Sequence, residues 1–131
     1  MNKLLKALFI IVIIAMLGAA IMQIFIPEYN AERSGFGLAA GWQREIGLWN
    51  IAMIVILIGT LLKGNRNTIR IVSCGASTLG VLLGTNHLVE FISTAKQINL
   101  VGAIENYAFV ILLVIALFIE KNREKKISED K

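Results

Sequence analysis

The sequence predicts an all-α protein, an up-down four-helix transmembrane bundle with both termini cytoplasmic. Three observations carry that prediction. Hydrophobic residues make up 56% of the 131 residues and the mean hydropathy is +0.72, well above the composition of a soluble domain. The apolar residues gather into four long runs, and about 20 residues suffice to cross the hydrocarbon core of a bilayer. The charges gather between the runs. The N-terminal segment, the 63–70 turn and the C-terminal tail hold ten of the 13 Lys and Arg residues, and only Arg33, Arg44 and Lys96 lie elsewhere.

The first helix is expected over about 4–26. Only Lys6 and Gln23 interrupt this run, and Pro27 ends it. A signal peptide is the competing reading, with Lys3 and Lys6 as its basic start and Gly18-Ala19-Ala20 as its cleavage site. The apolar run continues well past Ala20, which argues for a membrane span. Residues 27–41 read as a loop, either a cap over the end of the bundle or a plain connector. Gly35, Gly37 and Gly41 make it permissive in backbone.

The second helix is expected over about 42–62. Gly64, Asn65 and Asn67 then supply turn conformations, and Thr68 can cap the third helix. So short a turn makes the second and third helices antiparallel neighbours. The third helix is expected over about 69–91. Ser73, Ser77, Gly80, Gly84 and His87 succeed one another at spacings of four, three, four and three, so they share a face. Small residues let membrane helices approach closely, and this seam leads up to His87. Residues 93–102 read as a loop. The fourth helix is expected over about 105–119, with Glu105 and Asn106 in its first turn, and a solvated tail over 120–131.

The loop charges place both termini inside by the positive-inside rule. Tyr29, Trp42, Trp49 and Tyr107 are all the Trp and Tyr residues of the chain, and all fall at the opposite, outer end. They read as an interfacial belt or as the wall of a pocket. The basic balance of +4 is a topology signal at an anionic membrane face, and no nucleic-acid partner is expected. The lone Cys74 has no disulfide partner and reads as a buried thiol.

Two polar clusters stand out against this apolar background. Trp42, Gln43, Arg44, Glu45, Trp49 and Asn50 open the second helix. Asn86, His87 and Glu90 close the third. Gln43 and Asn50 are seven apart and share a face, with Gly47 between them. An amide at membrane depth needs a partner, and ionisable groups there mark function by default. These nine residues are the candidate ligand-binding set. The structural alternative is an ion pair of Arg44 with Glu45 or Glu90, with His87 bonded to Asn50 or to a backbone carbonyl.

The ligand readings are a quinone, a lipid or another small amphipathic molecule, including a haem-like one, with His87 and Arg44 at its head and Trp42 and Trp49 lining it. Metal binding by His87 and Glu90 with Glu45 or Glu105 is chemically of the right type, but one histidine makes it weak and no metal site is assigned. A pore or pump lacks polar groups through the membrane. Catalysis has no paired histidines or nucleophile constellation to support it, so no catalytic residue and no cofactor is assigned. The favoured function is a non-enzymatic membrane protein with a polar ligand site at the outer end. The alternatives are an accessory subunit of a larger membrane complex, or a homo-oligomer, and third an enzyme using His87 and Glu90.

The run Gly41-Trp42-Gln43-Arg44-Glu45-Ile46-Gly47 with Trp49-Asn50, and then Asn86-His87-x-x-Glu90, resembles a family of uncharacterised prokaryotic four-helix membrane proteins. The layout is similar, more distantly, to the DoxX-like group. That resemblance implies a four-helix bundle and an association with redox or quinone-linked membrane complexes. This chain differs in its nearly featureless first helix and in lacking a cysteine pair. The resemblance carries over no catalytic residue.

Overall fold

A computed structural model describes residues 1–34 and 36–129. Gly35, one of the glycines of the expected 27–41 loop, and the last two residues of the tail lie outside the described residues. The described chain is all-helical, with α1 (Lys3–Phe25), α2 (Pro27–Ser34), α3 (Ala40–Lys63), α4 (Arg66–Thr94) and α5 (Gln97–Glu129). Four of these, α1, α3, α4 and the Gln97–Lys125 part of α5, are long and apolar enough to cross a membrane. Most of their apolar side chains face outward, as Ile14, Val55, Leu82 and Ile111 do. Such a surface suits lipid, because lipid tails are as apolar as the side chains they meet.

Local chemistry starts and stops these helices. Asn2 and Asn65 cap α1 and α4, accepting from the amides of Leu5 and Thr68, which satisfies orphan N–H donors of the first turn. Pro27 opens α2, where its missing N–H costs nothing. Glu28 in the first turn of α2 and Arg33 in the last both suit the helix dipole. The 27–41 segment is therefore not all loop, since more than half of it forms a helix.

The helices pack as two close pairs, α1 with α3 and α4 with α5, while α3 touches α4 only slightly. The short Gly64–Asn65 connection therefore does not make α3 and α4 close neighbours, contrary to the expectation from its length. Small residues decide the pairing. A Cβ on Gly47 would lie 2.6 Å from Ile24 Cγ1 and 3.2 Å from the Ala20 carbonyl oxygen, so glycine is what lets α1 lie against α3. Across the other pair, a Cβ on Gly80 would lie 2.6 Å from Val110 Cγ2, and one on Gly84 3.2 Å from the Tyr107 ring. The small-residue seam of α4 is thus filled by α5 of the same chain. Ser73 and Ser77 lie on it with buried hydroxyls that have no partner among the described residues. Between the pairs stand bulkier side chains, and one core joins them through Leu5, Leu8, Phe9, Leu57, Ile69, Leu113 and Ala116.

The last helix differs most from expectation. It begins at Gln97, because the chain reverses on Ala95 and Lys96 alone, with Ala95 in the left-handed conformation at φ 54°. That conformation usually takes glycine, so no glycine announced the turn. Asn99, Asn106, Leu113 and Glu120 then recur at intervals of seven along one inward stripe. At the far end, α5 continues into the expected tail as far as Glu129. Glu120 is buried there, accepting from the Asn2 backbone N–H (2.6 Å) and pairing with the Met1 amino group (3.3 Å) and Arg123 (2.6 Å). Cys74, expected inside the packing, is exposed.

Candidate functional site

The two pairs of helices leave a cavity of about 320 Å³ between them. Its wall is largely apolar, with Met53, Leu57, Leu83 and Phe109 among the lining residues. Four polar side chains break that wall: Gln23 from α1, Asn50 from α3, His87 from α4 and Asn106 from α5. Each comes from a different long helix.

Their mutual bonds limit what each still offers. Asn50 Nδ2 donates to Gln23 Oε1 at 3.0 Å, so the partner that Asn50 requires comes from α1. Asn106 Nδ2 donates to the Gly102 carbonyl of its own helix at 2.8 Å. His87 Nδ1 lies 3.3 Å from Asn99 Oδ1. The Asn99 amide nitrogen donates to the Ser34 carbonyl, which turns its oxygen toward the ring. Nδ1 is then the donor, and in the neutral ring this tautomer leaves Nε2 as an acceptor. The groups left over, with no further bond among the described residues, are of both kinds. Asn50 Oδ1, Asn106 Oδ1 and, in the neutral ring, His87 Nε2 can accept, while both N–H bonds of Gln23 Nε2 and the second N–H of Asn50 Nδ2 and of Asn106 Nδ2 can donate.

The His87 ring is held on three sides. Asn99 fixes its edge. Phe36 meets it edge-on, with ring centroids 5.7 Å apart. Gly102 lets α5 come flat against it, since a Cβ there would stand 3.0 Å from the ring. Asn99 is the keystone, wholly buried and bonded at once to α2 and to His87. Replacing Asn99 by leucine leaves the Ser34 carbonyl and His87 Nδ1 without their partner. The expected cost is about 2 kcal/mol, read as a lower midpoint of thermal unfolding in detergent and faster proteolysis of the 27–40 segment. Unchanged values for both would refute this role.

The other sequence-predicted residues lie apart from the cavity. Gln43 is buried, 9% exposed, but it accepts from Asn30 of α2 at 3.2 Å and so clasps α2 onto α3. Lys96 adds a bond to the Glu32 carbonyl, and these contacts hold α2 over the end of the bundle. Trp42 and Trp49 are 70% and 72% exposed and do not line the cavity. Arg44, Glu45 and Asn86 are exposed and Glu90 is half-buried. None of the charged three makes an ion pair among the described residues, so the expected Arg44 pair is not formed. No group of three His, Cys, Asp or Glu side chains among the described residues could hold a metal ion.

Sequence reasoning missed Gln23, Asn99 and Asn106 as members of this site. Gln23 was visible as the lone amide in an apolar run. The seven-residue interval from Asn99 through Asn106 to Leu113 was a signal that α5 starts early. Comparison of the chain with protein-family models, with curated proteins and with solved structures found no significant match. Nothing in these comparisons bears on the likeness in layout to the DoxX-like group.

Proposed function

We propose that the chain is a multi-pass protein of the cell membrane, with both termini cytoplasmic, that holds one small amphipathic molecule in the cavity between its two helix pairs. An up-down order of the four long helices fits the contacts, since Gly47 meets Ala20 and Ile24 while Leu57 joins the core of Leu5, Leu8 and Phe9. The basic residues collect at the end holding Met1, Arg66, Arg70 and Arg123, which the positive-inside rule assigns to the cytoplasm.

The observation that carries the ligand reading is the convergence of four polar side chains, one per long helix, on a single apolar-walled cavity. Its volume lies at the small end of known ligand sites, roughly 300–1,000 Å³. No Asp, Glu, Lys or Arg lines it, which favours an uncharged head. With both N–H donors and oxygen acceptors left over, the wall suits a compact head of carbonyl or hydroxyl groups, such as that of a quinone or quinol. The apolar wall suits a ring or chain that enters from the bilayer.

Native mass spectrometry on protein extracted gently from its own membranes tests this reading. The expected result is one reproducible added mass that disappears in Asn106→Leu. That variant removes a polar group whose only side-chain hydrogen bond among the described residues is to a carbonyl of its own helix, so the fold is spared. A bare chain, or one recovered only with a second polypeptide, would sink the ligand reading and point instead to an accessory subunit.

A further inference from the structure

A second cavity, of about 350 Å³, lies at the opposite, basic end in the groove between α4 and α5. Its rim carries Arg66, Arg70 and Lys121, and its floor continues along Cys74, Val114 and Phe118. Phe118 and Cys74 are exposed, so the floor opens sideways onto the surface that faces lipid. The rim is under-neutralised. Glu124 alone bridges both arginines, at 3.5 Å to Arg66 Nε and 2.7 Å to Arg70 Nη2. Lys121 makes no ion pair among the described residues. The other acid of the groove, Glu120, is already engaged by the Met1 amino group and Arg123. Three cations against one available carboxylate leave an excess of two positive charges.

Both guanidinium groups keep spare donors, because each has five N–H bonds and gives few of them to Glu124. The arginines also sit in the first two turns of α4, whose first turn carries no acidic residue. Cations there oppose the positive end of the helix dipole, and an anion relieves both repulsions. Charge and shape together describe one occupant, with a negative head at the rim and a hydrocarbon chain below it.

We propose that this groove binds a single anionic phospholipid, its phosphate on Arg66, Arg70 and Lys121 and one acyl chain along Cys74, Val114 and Phe118. The site depends on the chain spanning a membrane, and it is independent of the ligand proposed for the other cavity. Basic pockets between membrane helices on the cytoplasmic side are suited to such headgroups.

The test titrates the purified full chain in nonionic detergent with dioleoylphosphatidylglycerol and, separately, with dioleoylphosphatidylcholine, counting bound lipid by native mass spectrometry. One phosphatidylglycerol is expected to be retained, with phosphatidylcholine about tenfold weaker. Lys121→Gln, which breaks no hydrogen bond or ion pair among the described residues, should weaken phosphatidylglycerol about fivefold. The triple variant R66Q/R70Q/E124Q, which leaves no carboxylate stranded, should remove the preference, whereas Asn106→Leu should leave it intact. Equal retention of the two lipids overturns the proposal, as does a preference that survives the triple variant. Displacement of the lipid by millimolar inorganic phosphate also overturns it, since it would mark a site for free anions.

Discussion

Gly47→Leu is expected to force α1 away from α3 and to destabilise the bundle by about 3 kcal/mol, the upper part of the range for overpacking. The first added carbon meets Ile24 at 2.6 Å, and the Ala20 carbonyl oxygen stands 3.2 Å away. The isoleucine can rotate, but the backbone oxygen cannot move without moving its helix. The same change at Gly59, where a Cβ would meet nothing within 4 Å, should shift stability by less than about 0.5 kcal/mol. Unfolding in detergent, monitored through the fluorescence of Trp42 and Trp49 on the same helix, compares the two. Equal effects at both positions would show that close approach at Gly47 is not what joins the pair. Because Asn50 and Gln23 bond across this contact, loosening it should also open the polar wall of the cavity.

His87→Ala is expected to weaken retention of the native ligand by roughly tenfold to a hundredfold, the equivalent of about 1–3 kcal/mol for a partner left unsatisfied. The alanine also strands the Asn99 oxygen, so some loss of stability accompanies it. His87→Gln separates the two effects. A glutamine amide can donate to Asn99 and keep α2 in place, but it cannot set an acceptor where Nε2 stood. The unfolding midpoint should recover in His87→Gln while ligand retention stays low. If both recover together, His87 acts only as a brace between α4 and α5. If ligand retention is unaffected by either change, the head binds elsewhere in the cavity.

These expectations rest on residues whose legibility in the sequence differed. Gly80, Gly84 and His87 were readable as one face of α4 because small residues recur there at helical spacing. Gln43, Gly47 and Asn50 were readable as one face of α3 for the same reason. The partner of each face was not. The seam of α4 was free to meet any helix, and only the packing shows that α5 fills it. Trp42, Arg44, Glu45, Trp49 and Asn86 drew attention because polar and aromatic residues are conspicuous beside apolar ones, yet they point outward from the cavity. Conspicuous chemistry at a membrane boundary costs little, since headgroups and water satisfy it. An amide such as Gln23, set among Ile21, Met22, Ile24 and Phe25, had to find its partner within the protein.

The sequence by itself determined the number of the long apolar helices and the crowding of basic residues into three segments. Both arise from local composition, because hydrophobic length and charge need no knowledge of neighbours. Only the tertiary structure decided that α1 pairs with α3 and α4 with α5, that residues 27–34 form a helix held over the bundle end, and that α5 begins at Gln97. It alone decided that Gln23, Asn50, His87 and Asn106 share one cavity. Pairing depends on which glycine meets which side chain across a gap of a few ångströms, and that match is made between segments far apart in the chain.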